Sequence, residues 1–179
     1  IKDNAKSKDL DYGYNLAGNV QQEFRLDLEF MKKNNWAEFL ANSCQKWLSE
    51  GHNISIKKFE IISSWIVRQF KNEYNPIHYH EGDLSGVGYL RIPKDMTINK
   101  FVKNKKIRTN GTIDFINGQR GFLNKSIYNV VPKIGIMYLF PNYLMHTAYP
   151  FNIDGERRSF SFNAKLILKK YFTNIVNSI

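Results

Sequence analysis

The chain has 179 residues, 42% hydrophobic and 15% aromatic, which is enough apolar material to bury the core of one domain and excludes wholesale disorder. Lys and Arg number 26 against 16 Asp and Glu, a net charge of +10, which admits an anionic partner without requiring one. The lysines are scattered apart from Lys103-Asn104-Lys105-Lys106, and the abundance of Lys, Asn and Ile (19, 20 and 19) attributes the charge to A/T-rich codons. The single cysteine, Cys44, excludes an internal disulfide framework and a multi-cysteine zinc site. No apolar run approaches the about 20 residues needed to span a bilayer, and no apolar leader follows Ile1. The expectation is a cytoplasmic protein with no membrane contact.

Residues 1–19 read as a polar lead-in. From Val20 to Leu48 the apolar residues Phe24, Leu26, Leu28, Met31, Trp36, Phe39, Leu40 and Trp47 fall at helical spacing. Asn34-Asn35 divides this stretch into two helices, and Gly51 is expected to end the second. Beyond Gly51 come short segments rich in β-branched and aromatic residues: Lys58–Phe70, Ile77–His80, Val87–Ile92, Gly111–Phe115, Tyr128–Val131, Gly135–Phe140, His146–Phe151 and Arg157–Leu168. Lys103–Asn124, with its glycine turns and mixed charge, reads as a long excursion of the kind that often carries function. The pattern predicts a single domain over residues 1–179. Residues 1–51 supply the lead-in and two packing helices, and 58–168 a mainly β core, a sandwich or closed jelly-roll barrel.

Three of the four histidines lie in two compact stretches, Asn75-Pro76-Ile77-His78-Tyr79-His80-Glu81-Gly82-Asp83 and Leu139-Phe140-Pro141-Asn142-Tyr143-Leu144-Met145-His146. Residues two apart on a strand share a face, so His78 and His80 can present two imidazoles to one side. A third ligand from a distant strand would complete one face of a metal and leave positions open, the arrangement used by non-haem Fe(II) oxygenases. Eleven positions after His146, Arg157 begins a strand whose one face carries Arg157, Ser159, Ser161 and Asn163, and whose other face carries Arg158, Phe160 and Phe162. Arg157 with Ser159 forms a good receptor for a carboxylate.

From about Ser64 to Leu166 these motifs resemble the 2-oxoglutarate- and Fe(II)-dependent oxygenases, in particular a group common in marine bacteria and their phages. The resemblance rests on Asn75-x-x-His78-x-His80 leading into Leu84-Ser85-Gly86-x-x-Tyr89-Leu90. It continues through Pro132, Gly135, Leu139-Phe140-Pro141 and His146, and ends at Arg157 and Ser159–Asn163. It implies a double-stranded β-helix (a cupin-like jelly roll), the cofactors Fe(II) and 2-oxoglutarate, and O2 as co-substrate. His146 would be the distal metal ligand, with Arg157 and Ser159 holding the far carboxylate of 2-oxoglutarate. The departure is His78-x-His80, where the wider superfamily has His-x-Asp or His-x-Glu. Either His78, His80 and His146 form a three-histidine site, or His80 comes first and Asp83 or Glu81 swings in as the carboxylate. Histidine ligands bind when neutral, so metal affinity is expected to fall below about pH 6.5.

The function implied is that of a dioxygenase, a hydroxylase of prolyl, peptidyl or small-molecule substrates. Tyr79, Tyr89 and Tyr138 are expected in core packing rather than at the cavity. A cupin-like metalloprotein without 2-oxoglutarate is the alternative on the same architecture. A basic nucleic-acid-binding module, resting on the charge, Lys103–Lys106 and the aromatics, is the alternative of another class.

Overall fold

The computed structural model describes residues 8–96 and 109–169. Lys103–Lys106, the basic cluster noted above, lies outside them. Among the described residues nine strands and two α-helices make up the fold, with two single-turn 3-10 helices at Lys8–Leu10 and Gly13–Asn15. The strands and α-helices are β1 (Gln22–Arg25), α1 (Leu28–Lys33), α2 (Trp36–His52), β2 (Ile56–Gln69), β3 (Asn75–His78), β4 (Leu84–Arg91), β5 (Ile113–Ile116), β6 (Ile127–Val130), β7 (Met137–Pro141), β8 (Met145–Ala148) and β9 (Arg157–Leu168). Two antiparallel sheets form, one ordered β1-β2-β9-β4-β7 and the other β3-β8-β5-β6. This is the expected jelly-roll arrangement, and the site lies between the sheets.

The larger sheet has an unlike pair of faces. Toward the helices, Ile66, Phe160, Phe162, Leu84 and Ala164 pack with Met31, Leu40 and Cys44. Leu40, Cys44 and Leu48 recur every four residues and form the buried stripe of α2. Phe160 and Phe162 lie across Gly88 and Gly86, their neighbours on β4. A Cβ at Gly86 would sit 2.5 Å from the Phe162 ring, and one at Gly88 would overlap the Phe160 ring. The two glycines therefore let the aromatic rings lie flat on the sheet.

Several strand ends shift by a few residues from the sequence reading, with β3 at Asn75–His78, β4 at Leu84–Arg91 and β8 at Met145–Ala148, and the main differences are at the helices. Gln22–Arg25 is a strand, not the start of a helix, and pairs with Trp65–Arg68. The alternation of Phe24 and Leu26 with Arg25 and Asp27 fits a period of two as well as one of 3.6 over so few residues. The helix begins only where Asp27 caps it, its Oδ1 accepting from the Glu29 and Phe30 N–H groups at 2.6 and 3.3 Å. At the other end α2 runs through Gly51 to His52 and stops at Asn53, which adopts the left-handed conformation (φ 53°). The division at Asn34-Asn35 falls as expected, with Asn35 also left-handed. Among the described residues no helix is long and apolar enough to cross a membrane.

Candidate metal and co-substrate site

The register of the smaller sheet places His78 on β3 directly opposite His146 on β8. His80 lies just beyond the end of β3. Its N–H donates to the Asn142 carbonyl at 3.0 Å, and the Asn142 side chain donates to the His80 carbonyl at 3.3 Å. That pair of bonds turns the His80 ring to the other two. The ring centroids of His78 and His146 are 4.3 Å apart, those of His80 and His146 4.9 Å, and those of His78 and His80 5.0 Å. One ligand atom from each ring lies within 4.8 Å of the others.

Tautomer control is visible at two of the rings. The Nδ1 atoms of His78 and His146 lie 2.7 and 3.0 Å from the carbonyls of Pro76 and Leu144. Donation there leaves each Nε2 as a lone pair, the usual outer support for a metal-binding imidazole. The Nε2 atoms of His80 and His146 are 3.2 Å apart. Two imidazole nitrogens at right angles on one ion, each about 2.1 Å from it, lie about 3 Å apart. Burial lowers the pKa of all three rings, to about 3 for His80 and about 4 for His146, with neighbouring imidazoles adding to the effect at both. His80 and His146 are therefore neutral well below the ordinary imidazole value, and His78 is shifted in the same direction. The surroundings that exclude water are Trp65 beside His80 and Phe140 and Phe115 beside His146.

Asp83 and Glu81 lie elsewhere. Asp83 Oδ2 accepts from the Leu166 N–H at 2.8 Å, and the Asp83 N–H donates to the Ala164 carbonyl. Glu81 is exposed. Neither joins the histidine cluster.

The wall opposite the histidines is the inner face of the larger sheet. Its cross-strand rows are Trp65–Ser161–Val87, Val67–Ser159–Tyr89 and Gln69–Arg157. These residues and the three histidines line one cavity. Arg157 is buried, and its contacts are neutral: Nη1 donates to the Gly111 carbonyl at 3.0 Å, and Nη2 donates to Gln69 Oε1. Among the described residues no carboxylate pairs with it, and burial lowers its pKa. Tyr89 is buried, and its hydroxyl has no hydrogen-bond partner among the described residues. Burial pushes its pKa up, against a smaller opposing pull from Arg157. An unpaired guanidinium, an orphaned phenol and the Ser159 hydroxyl in one row system are donors in want of an anion. This donor set fits a carboxylate, and the three neutral imidazoles fit a divalent transition metal.

Strand alternation thus put Arg157, Ser159 and Ser161 on the cavity side and Phe160 and Phe162 on the helix side, as the sequence predicted. Asn163, further along, bonds Ser85 and Ser63. The sequence reading assigned Tyr89 to packing and gave no role to Gln69. Both occupy inward positions of strands whose alternation was legible, which is the signal that could have found them.

The sequence matches the family described as "Putative 2OG-Fe(II) oxygenase" over residues 63–163. Among curated proteins none matches. Similar solved structures include a viral collagen prolyl hydroxylase from Paramecium Bursaria Chlorella virus-1, in complex with 2-oxoglutarate. It is 15% identical with a TM-score of 0.58, over 93% of this chain and 87% of that one. A prolyl-4-hydroxylase from Pseudomonas putida is 13% identical with a TM-score of 0.53, over 83% and 72%. A 2OG-Fe(II) oxygenase family oxidoreductase from Burkholderia pseudomallei is 12% identical with a TM-score of 0.50, over 77% of this chain and 54% of that one. The present chain thus spans about half the length of that last protein. These structures share the double-stranded β-helix. The sequence match covers more than half of the 179 residues, and the chain belongs to this family of 2-oxoglutarate- and Fe(II)-dependent oxygenases.

Proposed function

We propose that the protein is an Fe(II)- and 2-oxoglutarate-dependent dioxygenase that hydroxylates a carbon of its substrate. In this reading His78, His80 and His146 hold the iron, and Arg157, Ser159 and Tyr89 hold the distal carboxylate of 2-oxoglutarate. The observation that carries it is Arg157, a buried cation with only neutral partners, in the same cavity as three converging imidazoles.

Bound iron supplies the oxygen chemistry, coupling conversion of 2-oxoglutarate to succinate and CO2 with oxidation of a substrate C–H bond. The protein's own residues do the rest. Pro76 and Leu144 fix the tautomers of His78 and His146, so that binding needs no proton rearrangement. Gln69 and the Gly111 carbonyl hold the guanidinium of Arg157 in place, leaving its remaining donors for the co-substrate carboxylate. Trp65, Phe115 and Phe140 keep water from the reacting centre. The prolyl hydroxylases of like fold favour hydroxylation as the reaction, on a peptidyl or small-molecule substrate. A cupin-like metalloprotein that binds no 2-oxoglutarate would leave the unpaired Arg157 without a purpose.

Anaerobic addition of Fe(II) and then 2-oxoglutarate is expected to produce a weak visible charge-transfer band and, on admitting air, succinate. Folded protein that binds Fe(II) yet gives neither result would refute the assignment.

A further inference from the structure

A second cavity, of about 140 Å³, adjoins the histidines and is lined by Glu23, Trp65, Asn75, His78, Tyr79 and His80. Trp65, Asn75, His78 and His80 also line the first cavity, so the two meet at the imidazoles. Glu23 reaches it from β1, where pairing with Val67 puts it on the inner face, in line with Ser159 and Tyr89. It is only 2% exposed, and neither carboxylate oxygen has a hydrogen-bond partner among the described residues. Asn75 Oδ1 is buried and unpartnered as well. Glu23 Oε1 and Asn75 Oδ1 converge at Gly18: a Cβ there would lie 2.9 Å from the first and closer still to the second.

Three acceptor oxygens, both of Glu23 and Oδ1 of Asn75, therefore border one cavity without a hydrogen-bond partner among the described residues. Nearby charge makes the need for a donor greater. Asp11 and Glu73 are spoken for by backbone N–H groups: Asp11 accepts from Gly13, and Glu73 from Phe70 and Gln21. They add negative potential without relieving Glu23. Burial, and then Glu73 and Asp11, push the Glu23 carboxyl up to about 8, as expected of an acid whose counter-charge is missing. Glu23 belongs to no group of three or more His, Cys, Asp or Glu side chains placed to share a metal ion among the described residues; the three histidines are the one such group. A nitrogen cation meets the need, since an ammonium carries three N–H donors and a guanidinium five.

We propose that this cavity binds the primary substrate through a cationic nitrogen, an ammonium or guanidinium group, held by Glu23 and Asn75 beside the histidine cluster. The assignment of this group to the substrate rests on the oxygenase reading above; the cation site itself does not. Glu23 lies on β1, outside the matched residues 63–163.

The test measures equilibrium binding to the full chain by ligand-observed NMR at pH 8.5, where ionised Glu23 is well populated. The probes are the Nα-acetyl N-methylamides of lysine, arginine and, as the uncharged control, norleucine. Wild-type protein is expected to bind the lysine or the arginine probe at least about tenfold more tightly than the norleucine probe, the worth of one charge-assisted hydrogen bond. Glu23→Gln should bring that ratio close to one without lowering the melting temperature at pH 8.5, where it removes an ionised buried carboxylate that has no partner. Gly18→Ala, which fills the point where the acceptors meet, should also reduce it. Equal binding of charged and uncharged probes to wild-type protein, or a preference that survives Glu23→Gln, overturns the proposal. So does a Glu23→Gln variant that is destabilised, because Glu23 is then a neutral acid serving the fold. The charge-transfer titration run alongside separates the two ideas. A band without probe preference sinks the cation site alone, and probe preference without a band sinks the oxygenase reading alone.

Discussion

Two buried glutamates, Glu23 on the larger sheet and Glu156 just before its strand β9, meet opposite fates. On the outer face, Arg68, Arg158 and Arg91 stand side by side across three strands. Glu156 binds all of them: Oε1 accepts from Arg68 Nε at 2.7 Å and Arg158 Nε at 2.6 Å, and Oε2 accepts from Arg91 Nη1 at 3.2 Å. On the inner face, Glu23 has no partner and neither does the charge of Arg157. A buried carboxyl and a buried guanidinium thus share a sheet face, yet they do not pair with each other. Leaving one partner of a buried ion pair unmatched typically costs several kcal/mol. Charge on the outer face ties strands together, and on the inner face, in the reading proposed above, it is left to meet ligands.

The largest departure is expected from the metal cluster. His146→Ala should cut succinate formation to less than about a hundredth, because it removes a proposed ligand where even outer-shell changes cost 10–100-fold. The loss should appear equally as failure to retain Fe(II) after desalting. A variant that keeps both metal and turnover would move the centre away from this cluster.

Next in size is the contrast between adjacent arginines. Arg157→Ala should weaken 2-oxoglutarate binding roughly a hundredfold or more, as two charge-assisted bonds are lost at about 1.5–3 kcal/mol each. Arg157→Lys should recover only part of this, since an ammonium cannot reproduce the fork. Arg158→Ala should leave the affinity within a few-fold, because Arg158 is committed to Glu156 on the other face. Succinate release against 2-oxoglutarate concentration measures all three. A crippled Arg158→Ala beside an intact Arg157→Ala would reverse the inner and outer assignments.

Tyr89→Phe should have a smaller effect, roughly tenfold in apparent 2-oxoglutarate affinity, the worth of one hydrogen bond to a carboxylate at about 1.5 kcal/mol. Its stability should stay level or rise, since the orphaned hydroxyl is removed from a buried position. A variant that loses stability and keeps its affinity would return Tyr89 to the packing role that its sequence position first implied.

These residues were not equally legible. Arg157 and Ser159 could be read because β9 alternates without a break near them, and a period of two assigns faces by counting. His78, His80 and His146 could be read as a set, although His80 lies beyond the strand that was meant to carry it. The Asn142 bonds, and not the strand pleat, aim its ring. Tyr89 and Gln69 were within reach of the same counting, but an inward tyrosine or glutamine differs from a packed one only in whether its polar atom finds a partner. Glu23 was beyond reach. Its strand has four residues, too few to separate a period of two from 3.6, and its burial depends on Val67 and Asn75, which are 44 and 52 positions away.

The smallest effect on the site itself is expected from the outer cluster, where Glu156→Gln should leave 2-oxoglutarate affinity unchanged. Its signature is a dependence of stability on pH. Burial alone would push the Glu156 carboxyl up, but the hydrogen bonds and charges of Arg158 and Arg68 outweigh it and hold the group at about 2, against an ordinary value of 4.5. A depressed carboxylate binds fewer protons in the folded state than in the unfolded one, so its contribution is complete above about 4.5 and disappears as pH falls through about 2. Wild-type protein should therefore resist urea better than Glu156→Gln at pH 7, and the gap between their midpoints should close steadily from pH 4.5 downward. Because the other carboxylates titrate in both proteins, the difference isolates this one. A gap that stays constant down to pH 2 would mean that the three arginines gain nothing from the Glu156 charge, and the contrast with Glu23 would lose its physical basis.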